Sequence, residues 1–319
     1  FKSHHKPSNQ PCIIEKICDR MQERKVLREI KHLRMLRDGP NIPKLVDAFK
    51  EVTLPIQVDQ SAASAVPPSA ELTEGPLSRM VFEYRDSLFY PQYFMSLNQE
   101  RIRKITFEVL QTLDFIHSKG FAHRDIKPLS IEVSPDFSSV FITNWYFLER
   151  YDEEVNFVEP LSLSVSSRYY KSPEILFRND KFLYDPRKLD MWSLGCTLAA
   201  MAIRVPIFKG ADLNDQLIKI VQILGTTDFK QFCQRYKVVP PAFLEATLLD
   251  EQYATRTDLR SLRVPACPYS EEAVDLVEKL LRYDPAERLS ASEALKHPFL
   301  AGMSAGAAVP QPMHCQPYQ

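Results

Sequence analysis

The period of the hydrophobic pattern changes once in a lasting way along this chain, and that change limits the fold more than any other feature. Strand-like and helical segments alternate up to about residue 142; beyond it the pattern is mainly helical to about Leu300. Cys12 to Ile17 is a short apolar run that reads as a strand. From Arg20 to Leu36, Val26, Ile30 and Leu33 recur at helical spacing among charges, and Asp38-Gly39-Pro40 stops the helix. Met80 to Tyr84 is again strand-like. Gln99 to Lys119 carries Ile102, Ile105, Val109, Leu113 and Ile116 on one helical face, closed by Gly120. Ile131–Val133 and Val140–Ile142 read as short strands, and Ser290-Ala291-Ser292-Glu293 is a capping box that opens the last helix. The order predicts an α+β fold, a small mixed part followed by a larger α-rich part. Residues 1–11 are polar and Pro-punctuated, which predicts a loop. Ser, Ala, Pro and Thr dominate 51–79, an inserted flexible loop by composition, and 301–319 reads as a disordered tail.

Hydrophobic content of 45% with 25% charged residues is ordinary for a soluble globular protein and supplies a large core. A net charge of −1 gives no bulk reason to expect nucleic acid or a membrane surface as partner. The six cysteines (Cys12, Cys18, Cys196, Cys233, Cys267, Cys315) are scattered without a C-x-x-C pair. That predicts reduced thiols in the cytoplasm or nucleus, not a disulfide framework or a zinc site. Leu194 to Ile203 is too short to span a bilayer and reads as a buried helix. No signal peptide precedes it, and the opening at Phe1 suggests a fragment. Glycine is scarce, with 8 in the chain and none arranged as G-x-G-x-x-G.

Residues 123–127 read His-Arg-Asp-Ile-Lys, a pattern that resembles the catalytic loop of the eukaryotic protein kinase family. Downstream, Arg168-Tyr169-Tyr170-Lys171-Ser172-Pro173-Glu174 resembles the segment that ends in the family's A-P-E. Asp190-Met191-Trp192-Ser193-Leu194-Gly195 resembles the buried helix that follows, and Arg288 stands where an arginine pairs with the A-P-E glutamate. The resemblance implies a bilobal kinase fold. Residues 1–84 would form the β-rich N-lobe, with the glycine-rich loop falling before residue 1, and 85–300 the helical C-lobe. It implies Asp125 as the residue orienting the substrate hydroxyl, Lys127 on the transferring phosphate, and Lys16 paired with Glu29. It places Glu83, Tyr84 and the position of Glu132 beside the nucleotide. It also implies an ion pair Glu174–Arg288 and an Asp190 bonded to the catalytic-loop backbone.

Within the family the chain is similar to the casein kinase II catalytic subunit. The similarity lies in Arg28-Glu29-Ile30-Lys31, Gly39-Pro40-Asn41-Ile42, Val81-Phe82-Glu83, Trp145, Ser167-Arg168-Tyr169, Asp190–Cys196 and Leu280–Asp284. Its departures concern chemistry. The two metal positions of the family carry Ser130 and Asn144, neither of which brings a charge to magnesium. Glu132 replaces the apolar floor under adenine, and Tyr146 replaces a turn glycine. The expectation is a pseudokinase with lost or severely impaired transfer, weak ATP binding and no held magnesium, acting as a binding or scaffolding module. Two alternatives stand beside it: a slow serine/threonine kinase using ATP, and a decayed copy without function. Arg24, Lys25, Arg168 and Lys171 keep part of the charge that reads acidic protein substrates, while Gln22, Glu23 and Ser164 do not. The insertion at 51–79 argues against docking of a beta-type regulatory subunit.

Overall fold

A computed structural model describes residues 2–5, 10–17, 23–52, 74–151, 165–177, 185–262 and 270–304. The chain divides into two units, one of residues 1–38 and 43–85, the other of residues 39–42 and 86–319.

Among the described residues the first unit is a four-stranded antiparallel sheet with one helix. Its strands are β1 (Lys2–His5), β2 (Gln10–Lys16), β3 (Leu45–Val52) and β4 (Glu74–Glu83), in the order β1-β2-β4-β3, and its helix is α1 (Glu23–Met35). The helix buries Val26, Ile30 and Leu33, the stripe read from the sequence, and packs against β3 and β4. Two expectations change here. The polar start is not all loop: β1 pairs with β2 from Lys2↔Ile13 to His5↔Gln10, because an edge strand needs only backbone partners and tolerates polar side chains. The insertion is also shorter than its composition suggests. The β3–β4 pairing continues to Val52↔Glu74, and only 53–73 lie outside the described residues. Pro76 is tolerated in β4 because β2 pairs with that strand only as far as Arg79, leaving no ladder partner among the described residues beyond it on that side.

The second unit is mainly helical. Its remaining strands are β5 (Leu88–Phe89), β6 (Phe121–Ala122), β7 (Ile131–Val133), β8 (Val140–Ile142) and β9 (Glu149–Arg150), forming a β5-β7-β8 sheet and a β6-β9 ribbon. The helices are α2 (Gln99–Ser118), α3 (Val165–Arg168), α4 (Pro173–Phe177), α5 (Pro186–Ile203) and α6 (Leu213–Leu224). They continue with α7 (Thr226–Arg235), α8 (Glu245–Leu249), α9 (Glu271–Leu280) and α10 (Ala291–Ala294). Asn98 caps α2 by accepting from Arg101 N at 2.9 Å, and the predicted apolar face is fully buried. The chain leaves α2 through Gly120 at φ 76°, a conformation glycine adopts without a Cβ penalty. Residues 194–203 do lie in α5, and all but Ile203 are buried. A Cβ at Gly195 would meet Leu280 and Leu281 at 2.9 Å, so glycine is what lets α5 and α9 approach. The capping box at Ser290 and Glu293 is formed, though the helix it opens is a single turn. No helix among the described residues is long and apolar enough to cross a membrane. Cys12, Cys196 and Cys233 are free and buried; the other three cysteines lie outside the described residues. Residues 301–304 are described, and the rest of the expected tail is outside.

Candidate active site

Asp190 shapes the loop that holds the candidate chemistry. Fully buried in α5, it accepts from His123 N at 2.8 Å and Arg124 N at 2.6 Å, and stands 2.9 Å from His117 Nε2. Two successive backbone N–H groups bound by one carboxylate fix a sharp bend, and Arg124 takes φ 68° there. The His123 ring lies edge-on to Trp145 with centroids 4.8 Å apart. Nε2 faces the Thr143 carbonyl at 3.0 Å, and Nδ1 accepts from Asp125 N at 3.3 Å. A carbonyl can only accept, so the proton sits on Nε2, and burial pushes the imidazole pKa down toward this neutral form. His123 therefore packs and braces. The Arg124 guanidinium pairs with Glu149 of β9, which ties that strand back to the loop.

The loop delivers Asp125 and Lys127 together. Lys127 Nζ lies 2.6 Å from Asp125 Oδ2 and 2.8 Å from Ser167 Oγ, while Ser167 Oγ donates to Asp125 Oδ1 at 2.9 Å. Both carboxylate oxygens are thus oriented by fixed donors. Ser167 is a residue the sequence reasoning quoted only as part of a resemblance; its separation from Asp125 hid the contact. Lys171 also differs from its expected role. It is buried, donates to Arg124 O at 3.3 Å, and its Nζ lies 4.0 Å from Asp125. Burial first, and then the Lys127 and Arg124 charges, push its pKa down to about 8 against the pull of Asp125. A buried lysine bonded to the loop backbone is not presented to an acidic substrate.

Ser130 and Asn144 are brought together, and each uses the other. Ser130 Oγ, buried, donates to Asp125 O at 2.6 Å. Asn144 Nδ2 donates to Leu129 O at 3.2 Å and to Ser130 Oγ at 3.3 Å. The Leu129 carbonyl can only accept, which turns the amide nitrogen inward. Magnesium asks for hard, preferably anionic oxygens in octahedral geometry. An inward NH2 and a hydroxyl already donating to a carbonyl do not fit it. The turn also departs from expectation. Tyr146 lies in a single 3-10 turn, and the positive φ falls at Asn144 (63°), a residue type that tolerates that region. Glu132 is half-buried in β7 between the buried Ile131 and Val133, and its Oε2 accepts from Ser87 Oγ at 2.8 Å. The carboxylate has a donor, not an unrelieved apolar surrounding.

In the first unit the expected Lys16–Glu29 pair is not formed. Glu29 is buried on α1, its Oε2 accepts no hydrogen bond from the described residues, and the strand charge acting on it is that of Glu15. Successive side chains of a strand point to opposite faces. The register Glu15↔Met80 and Lys16↔Arg79 gives Glu15 the face that acts on the helix glutamate, and Lys16 is exposed. Glu15 is held by Arg85 Nη2 at 3.1 Å. Burial, and then the Glu15 charge, push the Glu29 pKa up to about 8. Glu83 is exposed and stands 3.7 Å from Lys44, and Tyr84 is exposed beside it.

Glu29 carries a pH signature. Its folded pKa lies above its unfolded value of 4.5, so the folded state holds a proton the unfolded state has released. The stability this provides is fully present below pH 4.5 and is lost as pH rises through about 8. A Glu29→Gln variant should remove that slope and gain on the order of 4 kcal/mol over the parent in alkaline solution. Urea unfolding at several pH values measures it, and parallel curves for the two proteins would show that Glu29 ionises freely.

The protein kinase domain family matches residues 3–300. The chain belongs to the protein kinase family. Among curated proteins it is 36% identical over 295 residues to a probable serine/threonine-protein kinase of Dictyostelium discoideum, an alignment covering 90% of this chain. The chain spans 43% of that relative's length. Its two-lobed α+β architecture is that of the family.

Proposed function

We propose that this chain is a casein kinase II alpha-like homologue that has lost most or all phosphoryl transfer and acts as a protein-binding or scaffolding module. The carrying observation is the Asn144–Ser130 hydrogen bond, a neutral pair engaged with itself where two metal ligands would stand. Phosphoryl transfer depends almost wholly on positioning and on the charge that metal ions supply. Glu15 facing Glu29 supports the same reading, because the cation that would meet the phosphates from that strand face is replaced by an acid. ATP would bind weakly and without magnesium. Its partners would be proteins, in the cytoplasm or nucleus. The burial of Lys171 removes one reader of acidic sequences, and Arg168 keeps its charge near the ring of Tyr169.

The second reading is a slow serine/threonine kinase. It is favoured by the complete Asp125–Lys127–Ser167 cluster and by the similarity to a Dictyostelium protein named as a probable serine/threonine-protein kinase. Equilibrium titration with a non-hydrolysable ATP analogue separates the two. Magnesium should leave the affinity unchanged. A gain of about tenfold, equal to about 1.4 kcal/mol, would mean that Asn144 and Ser130 release each other to hold metal, and would move the assignment to an enzyme.

A further inference from the structure

A cavity of about 300 Å3 opens in the second unit, lined by α7, by the loop carrying Arg256 and by the segment Arg282–Glu287. Three arginines line it, and they are not equivalent. Arg235 is engaged, with Nη1 2.6 Å from Asp284 Oδ2 and 3.1 Å from Glu287 Oε1. Asp284 Oδ1 also accepts from Tyr236 Oη at 2.6 Å and from Ala286 N at 2.9 Å, so the acids on that side of the cavity are already paired with Arg235. Arg256 is only partly satisfied. Its Nη2 donates to Leu281 O at 2.9 Å, but Nη1 is buried and has no hydrogen-bond partner among the described residues. Among the described residues no hydrogen bond or ion pair holds the Arg282 guanidinium, and that charge acts on Arg256. Burial pushes the Arg256 pKa down, Arg282 pushes it further, and Glu278 and Asp228 offset only part of this.

Two like charges sharing a half-enclosed cavity are unfavourable unless an anion joins them. Guanidinium forks match phosphate oxygens two at a time, and a phosphate offers more acceptor oxygens than a carboxylate to two such forks. The volume admits a phosphate together with the group that carries it. We propose that this cavity binds a phosphate monoester between Arg256 and Arg282. The site is independent of the catalytic loop and of whether the chain transfers phosphate.

The test follows the thermal unfolding midpoint of the full chain with inorganic phosphate, with a phosphoserine peptide and with its unphosphorylated form, at constant ionic strength. A ligand that binds only the folded state raises the midpoint. The expected result is a saturating rise with phosphate or with the phosphopeptide that the unphosphorylated peptide does not give. A larger rise with the phosphopeptide identifies a phosphorylated side chain as the source, and an equal rise identifies a small phosphate. Arg282→Gln should leave the midpoint without phosphate unchanged, because this side chain holds none of the described residues, yet weaken phosphate binding by at least about tenfold. Arg256→Gln should weaken it likewise. The general salting effect of phosphate is common to parent and variants, so it cannot mimic that difference. No rise with either probe, or a rise retained in both variants, would overturn the proposal.

Discussion

Replacing Arg288 by alanine is expected to destabilise the protein by about 3–5 kcal/mol. The Glu174–Arg288 pair is formed as the sequence implied, and it is almost wholly out of water, at 2% and 1% relative exposure. The contact is bidentate, Nη1 to Oε1 at 2.5 Å and Nη2 to Oε2 at 2.8 Å. The remaining N–H groups reach the carbonyls of Arg282 at 2.8 Å, Lys188 at 3.1 Å and Tyr283 at 3.1 Å. The guanidinium also lies over the Trp192 ring at 4.9 Å. Alanine would leave a buried carboxylate and three carbonyls without their donor, and the cost of uncompensated burial exceeds what the pair itself contributes. Arg288→Lys should recover only part of the loss, since an ammonium keeps the charge but not the planar fork. Chemical unfolding of the three proteins is the measurement. An alanine variant as stable as the parent would show that Glu174 finds another partner or a proton at no cost.

The second large effect is on activity. Asn144→Asp alone is expected to leave labelled-phosphate transfer to an acidic peptide at the level of an Asp125→Ala blank. The structure gives a reason beyond a missing second ligand. Asn144 Nδ2 faces the Leu129 carbonyl and Ser130 Oγ, and Ser130 Oγ has its proton on Asp125 O. A carboxylate placed there meets acceptors instead of donors and turns away. Restoring Asn144→Asp with Ser130→Asn and Glu15→Lys supplies the anionic ligand, frees the Asp125 carbonyl and sets a cation on the strand face that acts on Glu29. Adding Glu132→Met removes the acid from β7. Groups that act as one catalytic unit are strongly non-additive, so the gain should come with the last substitutions and amount to at least about a hundredfold over the single variant. Robust transfer by the unmodified protein, abolished by Asp125→Ala, would mean that the neutral pair is no obstacle.

What could be read in advance follows physical lines. The strands Ile131–Val133 and Val140–Ile142 and the helix from Gln99 emerge at their expected places because each rests on a local pattern: short segments with apolar residues at both ends, and a long apolar stripe closed by Gly120. The Glu174–Arg288 pair and the Asp190 clamp were legible because the resemblance carried them across long separations. The Lys16 reading failed because counting along a chain does not say which face of a strand a residue takes. Pairing with Met80 and Arg79 decides that, and one position reverses the sign of the charge facing Glu29. Ser167 and Lys171 escaped because only folding brings them to Asp125. Asn144 carried a signal in its own chemistry: asparagine tolerates φ 63°, so the turn did not need its freedom at Tyr146.

Gly39–Ile42 has a consequence for any attempt to divide the chain. These four residues belong to the second unit although the first unit brackets them on both sides, so the polypeptide passes from one unit to the other three times. Asn41 Nδ2 donates to the Glu108 carboxylate at 3.0 Å, the same carboxylate that holds the buried Lys104, and Asn41 O accepts from Ile142 N in β8 at 2.9 Å. A fragment beginning at Asp86 would contain the whole loop His123–Lys127 and yet lack a donor to α2 and an acceptor for its sheet. Cutting at the last crossing therefore does not yield two self-contained halves: the larger piece would leave part of its own interior behind in the smaller one.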